Sequence, residues 1–172
     1  LFEFDRYRDV LTVATHVFHL AAEVNIKNSS SLIANNYIST ELLVRELNRI
    51  TKKPRLIFAS TVGVFDRNKN DNCKKPLTEC SKHSPITMYG KTKLEAERYI
   101  VKNYNNYTIL RIPWAYGPYM LSKTHVRFIF EFAERNIFFR KLRFPAKYNF
   151  VDSKFVANAM LDSAINKKAQ NE

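Results

Sequence analysis

The stretch RLIFAST, residues 55–61, decides the fold of this chain. It follows Pro54 and opens with an apolar run, which is typical of a strand buried on both faces of a sheet. Upstream, apolar and small polar residues recur at spacings of three and four between residues 33 and 50, and this period predicts a helix with one inward face. VFHLAA (17–22) is a second apolar run and predicts another buried strand.

The alternation continues downstream of this strand. A loop rich in Asn, Lys and Pro occupies residues 66–85, and Pro85 marks a helix start, because a proline in the first turn loses no hydrogen bond. YTILRIP (107–113) predicts a third buried strand, and further helices are expected at 124–136 and 154–166. Strands that alternate with helices predict an α/β fold in which crossover helices join parallel strands.

The carboxyl ends of the predicted strands mark the place of a binding site. In parallel sheets, ligands bind beyond these ends, so the rule selects Leu20 to Ala22, Ser60 to Thr61 and Ile112 to Pro113.

Composition limits the class of protein. The chain has 172 residues and 45% hydrophobic content, enough for one domain with a core. It has no secretory leader and no apolar run near the roughly 20 residues that span a bilayer. Cys73 and Cys80 lie in a polar loop without metal-ligand spacing, so we expect free thiols and no metal site. These features predict a cytoplasmic protein.

The formal net charge is +12, which is compatible with nucleic acid, a membrane surface or an anionic small molecule. The lysines are scattered, as in Lys52-Lys53 and Lys167-Lys168, and no recognised nucleic-acid motif accompanies them. We therefore expect a small-molecule ligand, and neither nucleic acid nor a membrane as partner.

Tyr89 and Lys93 stand four residues apart in ITMYGKTKLEAERYI (86–100), so they share one face of a helix. A lysine ammonium near a phenol stabilises the phenolate and lowers its pKa from about 10. Such a tyrosine can accept a proton from a substrate hydroxyl while hydride leaves the same carbon, and Thr61 could hydrogen-bond the substrate oxygen. Tyr-x-x-x-Lys alone is a weak pattern, and a tyrosine packed at a helix edge beside a solvated lysine is its structural alternative.

Longer motifs surround this pair. The segments are VFHLAA (17–22), NYIST (36–40), FASTVGVF (58–65), PLTECSKHSPITMYGKTKLEAE (76–97) and ILRIPWAYGP (109–118). In this order they resemble the fourth strand, the Asn-x-x-x-Thr helix, the Ser-Ser/Thr-x-x-Val-Tyr strand, the Tyr-Gly-x-Ser/Thr-Lys helix and the Tyr-Gly-Pro turn of one family. That family is the extended short-chain dehydrogenases/reductases, in the NAD-dependent epimerase/dehydratase group, which mostly act on nucleotide sugars. The resemblance covers residues 10–165.

The resemblance implies an incomplete, Rossmann-like doubly wound parallel sheet. Residues 1–120 would form a partial dinucleotide-binding domain with the catalytic residues, and residues 121–172 a partial substrate-binding region. The implied activity is that of an NAD(P)-dependent epimerase, dehydratase or reductase acting on a nucleotide sugar by hydride transfer. A homodimer through the helices at 33–50 and 88–104 would be natural.

The resemblance also assigns roles to single residues. Tyr89 would be the acid/base, Lys93 would hold the nicotinamide ribose, and Thr61 would bind the substrate oxygen. The implied cofactor-binding residues are Leu20, Ala21, Ala22, Asn36, Tyr89, Lys93, Ile112 and Pro113. Arg111 is expected to form a structural ion pair.

One departure from the family concerns the cofactor. The family opens with a Gly-x-x-Gly-x-x-Gly turn that binds the pyrophosphate, whereas the three glycines here, Gly63, Gly90 and Gly117, belong to no such turn. We expect an internal fragment of a longer enzyme, or else a natural short form, that binds NAD weakly by itself. The residue that would select NAD or NADP is also outside the sequence.

A second departure concerns the substrate. Trp114 stands where epimerases of the family have Asn, and a Trp there also resembles dTDP-4-dehydrorhamnose reductases. Two alternatives stay open: a reductase of a non-sugar carbonyl, and a non-catalytic regulatory or interaction subunit that retains the fold.

Overall fold

In the part of the chain that the structure describes, the main sheet has three strands. The structure, a computed structural model, describes residues 4–24, 28–65, 77–118 and 149–172. The strands are β1 (His16–His19), β2 (Arg55–Thr61) and β3 (Tyr107–Ile112), in the spatial order β1-β2-β3. β1 runs parallel to β2, with His16 opposite Arg55 and His19 opposite Phe58. The predicted α/β class with parallel pairing is confirmed, and β2 has the predicted bounds.

Helices connect and follow these strands. They are α1 (Arg8–Val13), α2 (Ser29–Leu32), α3 (Ser39–Asn48), α4 (Met88–Asn103) and α5 (Ser153–Ile165). Short 3-10 segments lie at Phe4–Tyr7, Val62–Phe65 and Lys167–Ala169. A π-helical turn, Ile33–Ile38, joins α2 to α3, so the helix predicted at 33–50 begins earlier and is not regular. It begins at Ser29 because the side chain of Asn28 accepts a hydrogen bond from the Ser31 N–H at 3.0 Å.

Two predicted element ends are wrong. The helix expected to start at Pro85 starts at Met88, because the Thr87 hydroxyl caps it by accepting from the Gly90 N–H at 3.0 Å. The strand expected at 17–22 ends at His19, and the backbone of Glu23 is paired with a side chain and not with a strand.

The core lies between the sheet and helices α3 and α4. Its buried members are Val44, Leu47, Leu56, Phe58, Ala96, Ile100, Tyr104 and Tyr107. Full burial of a Val, Leu, Ile or Phe side chain, as in most of this core, contributes roughly 1.5–3 kcal/mol relative to exposure. This core fixes α4 against β2, which is the relationship that the candidate site depends on.

Arg55 anchors the end of α5 to the start of the sheet. The guanidinium is 7% exposed and donates to the carbonyl oxygens of Asn166, at 2.8 Å, and Ala164, at 3.2 Å. It also donates to the hydroxyl of Thr108, at 3.1 Å. A cation at the carboxyl end of a helix satisfies orphan carbonyls and opposes the negative end of the helix dipole.

The chain divides into two compact units. One comprises Leu1–Arg111 with Met160–Glu172, and the other comprises Ile112–Ala159. In the second unit, β4 (Trp114–Tyr116) runs parallel to β5 (Phe150–Asp152), and the rings of Trp114 and Phe150 meet edge to face at 6.0 Å.

Several predictions about the rest of the chain have different outcomes. The helix predicted at 154–166 is confirmed as α5, whereas the one predicted at 124–136 lies outside the described residues. The domain division near residue 120 stays a prediction. Cys80 is an exposed free thiol, and Cys73 lies outside the described residues. Among the described helices, none has the length and apolar character needed to cross a bilayer.

Candidate active site

Side chains of α4 form hydrogen bonds with consecutive residues at the end of β2. The ammonium of Lys93 donates to the carbonyl oxygen of Ala59 at 2.7 Å, and the hydroxyl of Ser60 donates to the carboxylate of Glu97. Lys93 and Glu97 are one helical turn apart, whereas Ala59 and Ser60 are consecutive in the strand. Thr61, the next strand residue, is thereby held beside the beginning of α4.

Gly90 explains how the helix comes so close to the turn after β2. A Cβ atom on Gly90 would lie 2.6 Å from the carbonyl oxygen of Gly63 and 3.2 Å from Cβ of Pro85. Real side chains do not tolerate the first of these distances, so this approach requires glycine. Tyr89 directly precedes this close approach in the sequence.

Lys93 is buried, with 1% of its surface exposed. Its ammonium lies 4.5 Å from the centre of the Phe58 ring, which adds a cation–π contact to the bond with Ala59. Burial lowers the pKa of Lys93 to about 8, and attraction to Glu97 opposes that shift. The structural alternative of a solvated lysine is wrong for this residue.

Tyr89 is half-buried in the first turn of α4. Burial raises the pKa of its phenol above the usual value of 10.0. The sequence had predicted a lowered pKa, and the structure differs because burial of the phenol opposes its ionisation, while the Lys93 ammonium bonds to the Ala59 carbonyl. The phenol is therefore protonated at neutral pH in this structure.

Thr61 is the last residue of β2 and is half-buried. Its hydroxyl oxygen accepts from the backbone N–H of Gly63 at 3.1 Å, which leaves the hydroxyl proton able to reach a ligand oxygen. Its predicted role, like the roles of Tyr89 and Lys93, stays a prediction.

Asn36 holds the segment after β1 against α4. The residue is buried in the π-helical turn, and its Oδ1 accepts from the Glu23 N–H at 2.7 Å. Its Nδ2 donates to the Glu23 carbonyl at 3.0 Å and to the Thr92 hydroxyl at 3.2 Å. The predicted cofactor contacts Leu20, Ala21 and Ala22 are exposed in the segment that Asn36 fixes. As a contact with a cofactor, each remains a prediction.

His19 is a residue of this region that the sequence reasoning missed. Its Nε2 is 2.8 Å from the hydroxyl oxygen of Thr40, and that hydroxyl donates to the Asn36 carbonyl at 2.7 Å, so Nε2 must carry the proton. Burial, and then the positive charge of Lys93, lowers the pKa of His19 to about 4. The signal was a single polar residue inside the apolar run VFHLAA.

Arg111 forms the expected structural ion pair. Its guanidinium donates to Glu97 at 2.8 Å, to the Glu79 carbonyl at 3.1 Å, and lies 3.0 Å from Nε2 of His83. Burial and the adjacent Arg111 lower the pKa of His83.

A cavity of about 620 Å³ adjoins Arg111, lined in part by Leu94, Val101 and Ile109 and by none of the predicted catalytic residues. The chemistry of the chain is therefore better sought at the end of β2.

Ile112 and Pro113 are half-buried and begin the second unit. Their predicted contact with the nicotinamide end of a cofactor stays a prediction.

The residues of the first unit fit one half of a dinucleotide. A buried ammonium, a protonated phenol and an exposed segment after β1 suit a ribose and a nicotinamide ring. The pyrophosphate has no matching glycine-rich turn among the 172 residues. That these residues form the nicotinamide half of such a site stays a prediction.

Comparison with known proteins places these features in a family. The family model described as the RmlD substrate binding domain matches residues 8–167. Methionine adenosyltransferase 2 subunit beta of Xenopus tropicalis is 33% identical over 120 residues, covering 67% of this chain and 34% of that protein. A dTDP-4-dehydrorhamnose reductase of Sinorhizobium fredii is 39% identical over 64 residues, covering 37% of this chain and 20% of the reductase. The chain thus spans about a third or less of the length of these relatives.

Solved structures agree on the fold. The dTDP-glucose 4,6-dehydratase of Bacillus anthracis, in complex with NAD, superposes with a TM-score of 0.78 and 18% identity, covering 99% of this chain and 54% of the dehydratase. Other neighbours were solved with NADP or with a UDP-sugar and NAD. The expected resemblance to short-chain dehydrogenases/reductases of nucleotide-sugar metabolism is confirmed, and the chain belongs to the RmlD substrate binding domain family.

Proposed function

We propose that this chain carries the catalytic residues of an NAD(P)-dependent oxidoreductase that reduces a carbonyl group of a nucleotide sugar. The observation that carries the proposal is the buried bond from Lys93 to Ala59, which holds the helix of Tyr89 beside the strand that ends in Thr61. The reaction class is suggested by the similar proteins, which include an epimerase and a dehydratase as well as reductases.

A protonated Tyr89 is the form of the side chain that a reduction requires. A phenol whose pKa is raised by burial holds its proton at neutral pH and can donate it to an oxygen that gains charge. Reduced NAD(P) supplies the hydride when it is bound. Thr61 donates a second hydrogen bond to the same oxygen, and together the two hydroxyls stabilise the developing negative charge. An epimerase or dehydratase would first need Tyr89 to lose its proton.

Lys93 and the segment after β1 would hold the cofactor. The ammonium is a donor to ribose hydroxyls, and Leu20 to Ala22 present an exposed surface for the rings. NAD and NADP are equally compatible with these residues.

Calorimetric titration of NADPH and NADH tests the cofactor site. We expect weak, saturable binding that is lost in Lys93→Met and kept in Tyr89→Phe. Lys91→Met, an exposed lysine on the same helix, is the matched control. Equal binding by the Lys93→Met protein, or none by the unaltered chain, would contradict the proposed cofactor site.

The reaction itself is tested by the oxidation of NADPH in the presence of a 4-keto nucleotide sugar. Removing a general acid lowers rates by about 10²- to 10⁴-fold, so Tyr89→Phe should abolish the low turnover expected of this chain. Turnover that survives in Tyr89→Phe would assign proton transfer to another group.

A second candidate is a non-catalytic subunit. The observation in its favour is the similarity to relatives named as the beta subunit of methionine adenosyltransferase 2, at 33–40% identity. The intact set of Thr61, Tyr89 and Lys93 favours the enzyme. Stable co-elution with the catalytic subunit of a methionine adenosyltransferase, unaltered by Tyr89→Phe and without any turnover, would favour the subunit.

The helices expected at 33–50 and 88–104, which are the π-helical turn with α3 and α4, are the proposed surface for a homodimer. They carry an edge-to-face pair, Tyr37 and Tyr99, at 6.3 Å, and ion pairs such as Arg98 with Glu95 at 2.6 Å. Sedimentation of the chain and of Tyr99→Glu tests this surface, because a buried negative charge would dissociate the dimer.

A further inference from the structure

Glu97 is a buried carboxylate for which the proposed reaction has no direct use. It is 2% exposed and lies on α4 one turn after Lys93. Its oxygens accept from the hydroxyl of Ser60 on β2 and from the guanidinium of Arg111 on β3, at 2.8 Å for the nearest nitrogen. One side chain of the helix is therefore tied to two neighbouring strands.

These bonds set the position of α4 along β2. Lys93 meets Ala59, Glu97 meets Ser60, and the backbone of Gly90 packs against Gly63. A shift of the helix by one turn, about 5.4 Å, would break all these contacts at once. Tyr89 is four residues before Lys93 on the same helix, so the same contacts determine where its phenol stands relative to the end of β2.

Glu97 also affects the charge on Lys93. The titratable groups that interact electrostatically with that ammonium are His19 from β1 and Glu97 from α4, with Arg111 and then His83 behind Glu97, while Tyr89 lies one turn earlier on α4. His19 and Tyr89 are neutral at pH 7, and Glu97 is the carboxylate among them. Its attraction raises the pKa of Lys93 against the effect of burial.

We propose that Glu97 is a positioning residue of the candidate site, which holds α4 against β2 and β3 through Ser60 and Arg111 and so determines the surroundings of the Lys93 ammonium. The assignment rests on the proposed function for what is being positioned. Glu97 contacts neither substrate nor cofactor in this scheme and acts through Lys93 and Ser60.

The charge effect is measured directly by NMR titration of the chain labelled with ¹³C-lysine, with Lys93→Met to assign the signal. An opposite charge nearby shifts a pKa by about one unit or more, so Glu97→Gln should move the Lys93 midpoint down by about one pH unit. Ser60→Ala keeps the carboxylate and should leave the midpoint where it is. An unchanged Lys93 midpoint in folded Glu97→Gln would overturn the proposal.

Leaving the Arg111 cation unpaired could prevent Glu97→Gln from folding. The double variant Glu97→Gln/Arg111→Met removes both buried charges, and its Lys93 midpoint should still fall. An unchanged midpoint in this double variant overturns the proposal equally.

Cofactor binding distinguishes this inference from the proposed function. For the unaltered chain, affinity for NADPH should decline at alkaline pH as Lys93 loses its proton, and in Glu97→Gln that decline should begin at lower pH. If the Lys93 titration midpoint differs between the two proteins while neither binds cofactor, the effect of Glu97 on Lys93 is supported and the proposed function is overturned.

Discussion

The side chain of Asn36 pairs with both backbone groups of Glu23. Its Oδ1 accepts from the Glu23 N–H at 2.7 Å, and its Nδ2 donates to the Glu23 carbonyl at 3.0 Å. Beyond the end of β1, the carboxamide of Asn36 thus provides the donor and the acceptor that the backbone of a neighbouring strand would provide. Asn36 therefore ties the exposed segment that follows β1 to the helical turn in which it lies.

The first prediction concerns this pairing. Asn36→Asp keeps the size of the side chain but removes the Nδ2 donor, which leaves the Glu23 carbonyl and the Thr92 hydroxyl without it. An unsatisfied buried group costs roughly 1–3 kcal/mol, so the urea midpoint should fall and NADPH should bind more weakly. Asn35→Asp, beside it on the same turn, should alter the midpoint far less, since Asn35 bonds to Ser31 within its own helix. Equal losses in the two variants would show that the pairing has no special importance.

The second prediction concerns Gly90. Gly90→Ala puts a methyl group 2.6 Å from the Gly63 carbonyl oxygen, so the helix or the turn must shift. Overpacking of this kind costs about 1–3 kcal/mol, and it moves Tyr89 away from the end of β2. Chemical denaturation measures the loss, with Lys91→Ala as the exposed neighbour that should change stability by about 0.5 kcal/mol or less. A Gly90→Ala protein as stable as the parent would contradict the close approach.

The third prediction concerns the anchor at the end of α5. Arg55→Met fills similar volume but leaves the carbonyls of Ala164 and Asn166 without their guanidinium donor. Hydrogen bonds to a charged group contribute about 1.5–3 kcal/mol, so the variant should lose at least that much stability in thermal unfolding. Lys52→Met removes one nearby exposed positive charge and should be close to neutral.

The fourth prediction concerns acid stability. In the folded chain the pKa of His19 is about 4, below its ordinary 6.5, so the unfolded chain binds more protons between these values. Stability contributed by neutral His19 is therefore complete above pH 6.5 and is lost as pH falls toward 4, by about 3 kcal/mol. His19→Gln, which keeps a donor near the Thr40 hydroxyl, should flatten the dependence of unfolding free energy on pH in that window. A curve as steep as that of the unaltered chain would place the titration elsewhere.

The sequence supported much of the fold because its signals there are local. The apolar run of β2 and the helical period before it come from contacts repeated along one element, and the structure has both. The start of α4 was misjudged because proline suits a first turn, whereas the hydroxyl of Thr87 caps the helix three residues before Gly90. Whether Pro85 or Thr87 begins the helix depends on contacts between the loop and the turn after β2, which the local sequence does not reveal.

The candidate site was less predictable, for an electrostatic reason. Spacing alone brings Lys93 and Tyr89 to one helix face, but the pKa of the phenol depends on burial and on where the ammonium points. The partner of that ammonium is a backbone carbonyl from a residue 34 positions away, which no side-chain pattern encodes. His19 was overlooked, and Glu97, which closes the matched motif at 76–97, was given no role, because the function of each depends on partners from other elements.

The π-helical turn at Ile33–Ile38 has a consequence for insertions and deletions. An α-helix advances by about 100° per residue, and a π turn accommodates one additional residue without breaking the helix. Deleting one residue from this turn would convert it to regular α-helix. The residues before the deletion would then be rotated by about 100° relative to those after it, so Asn36 and Val44 would no longer keep their present orientations together. Asn36 could then no longer face Glu23 while Val44 stays in the core. The number of residues in the turn, more than the identity of any one of them, thus decides which side chains of this long helix face inward.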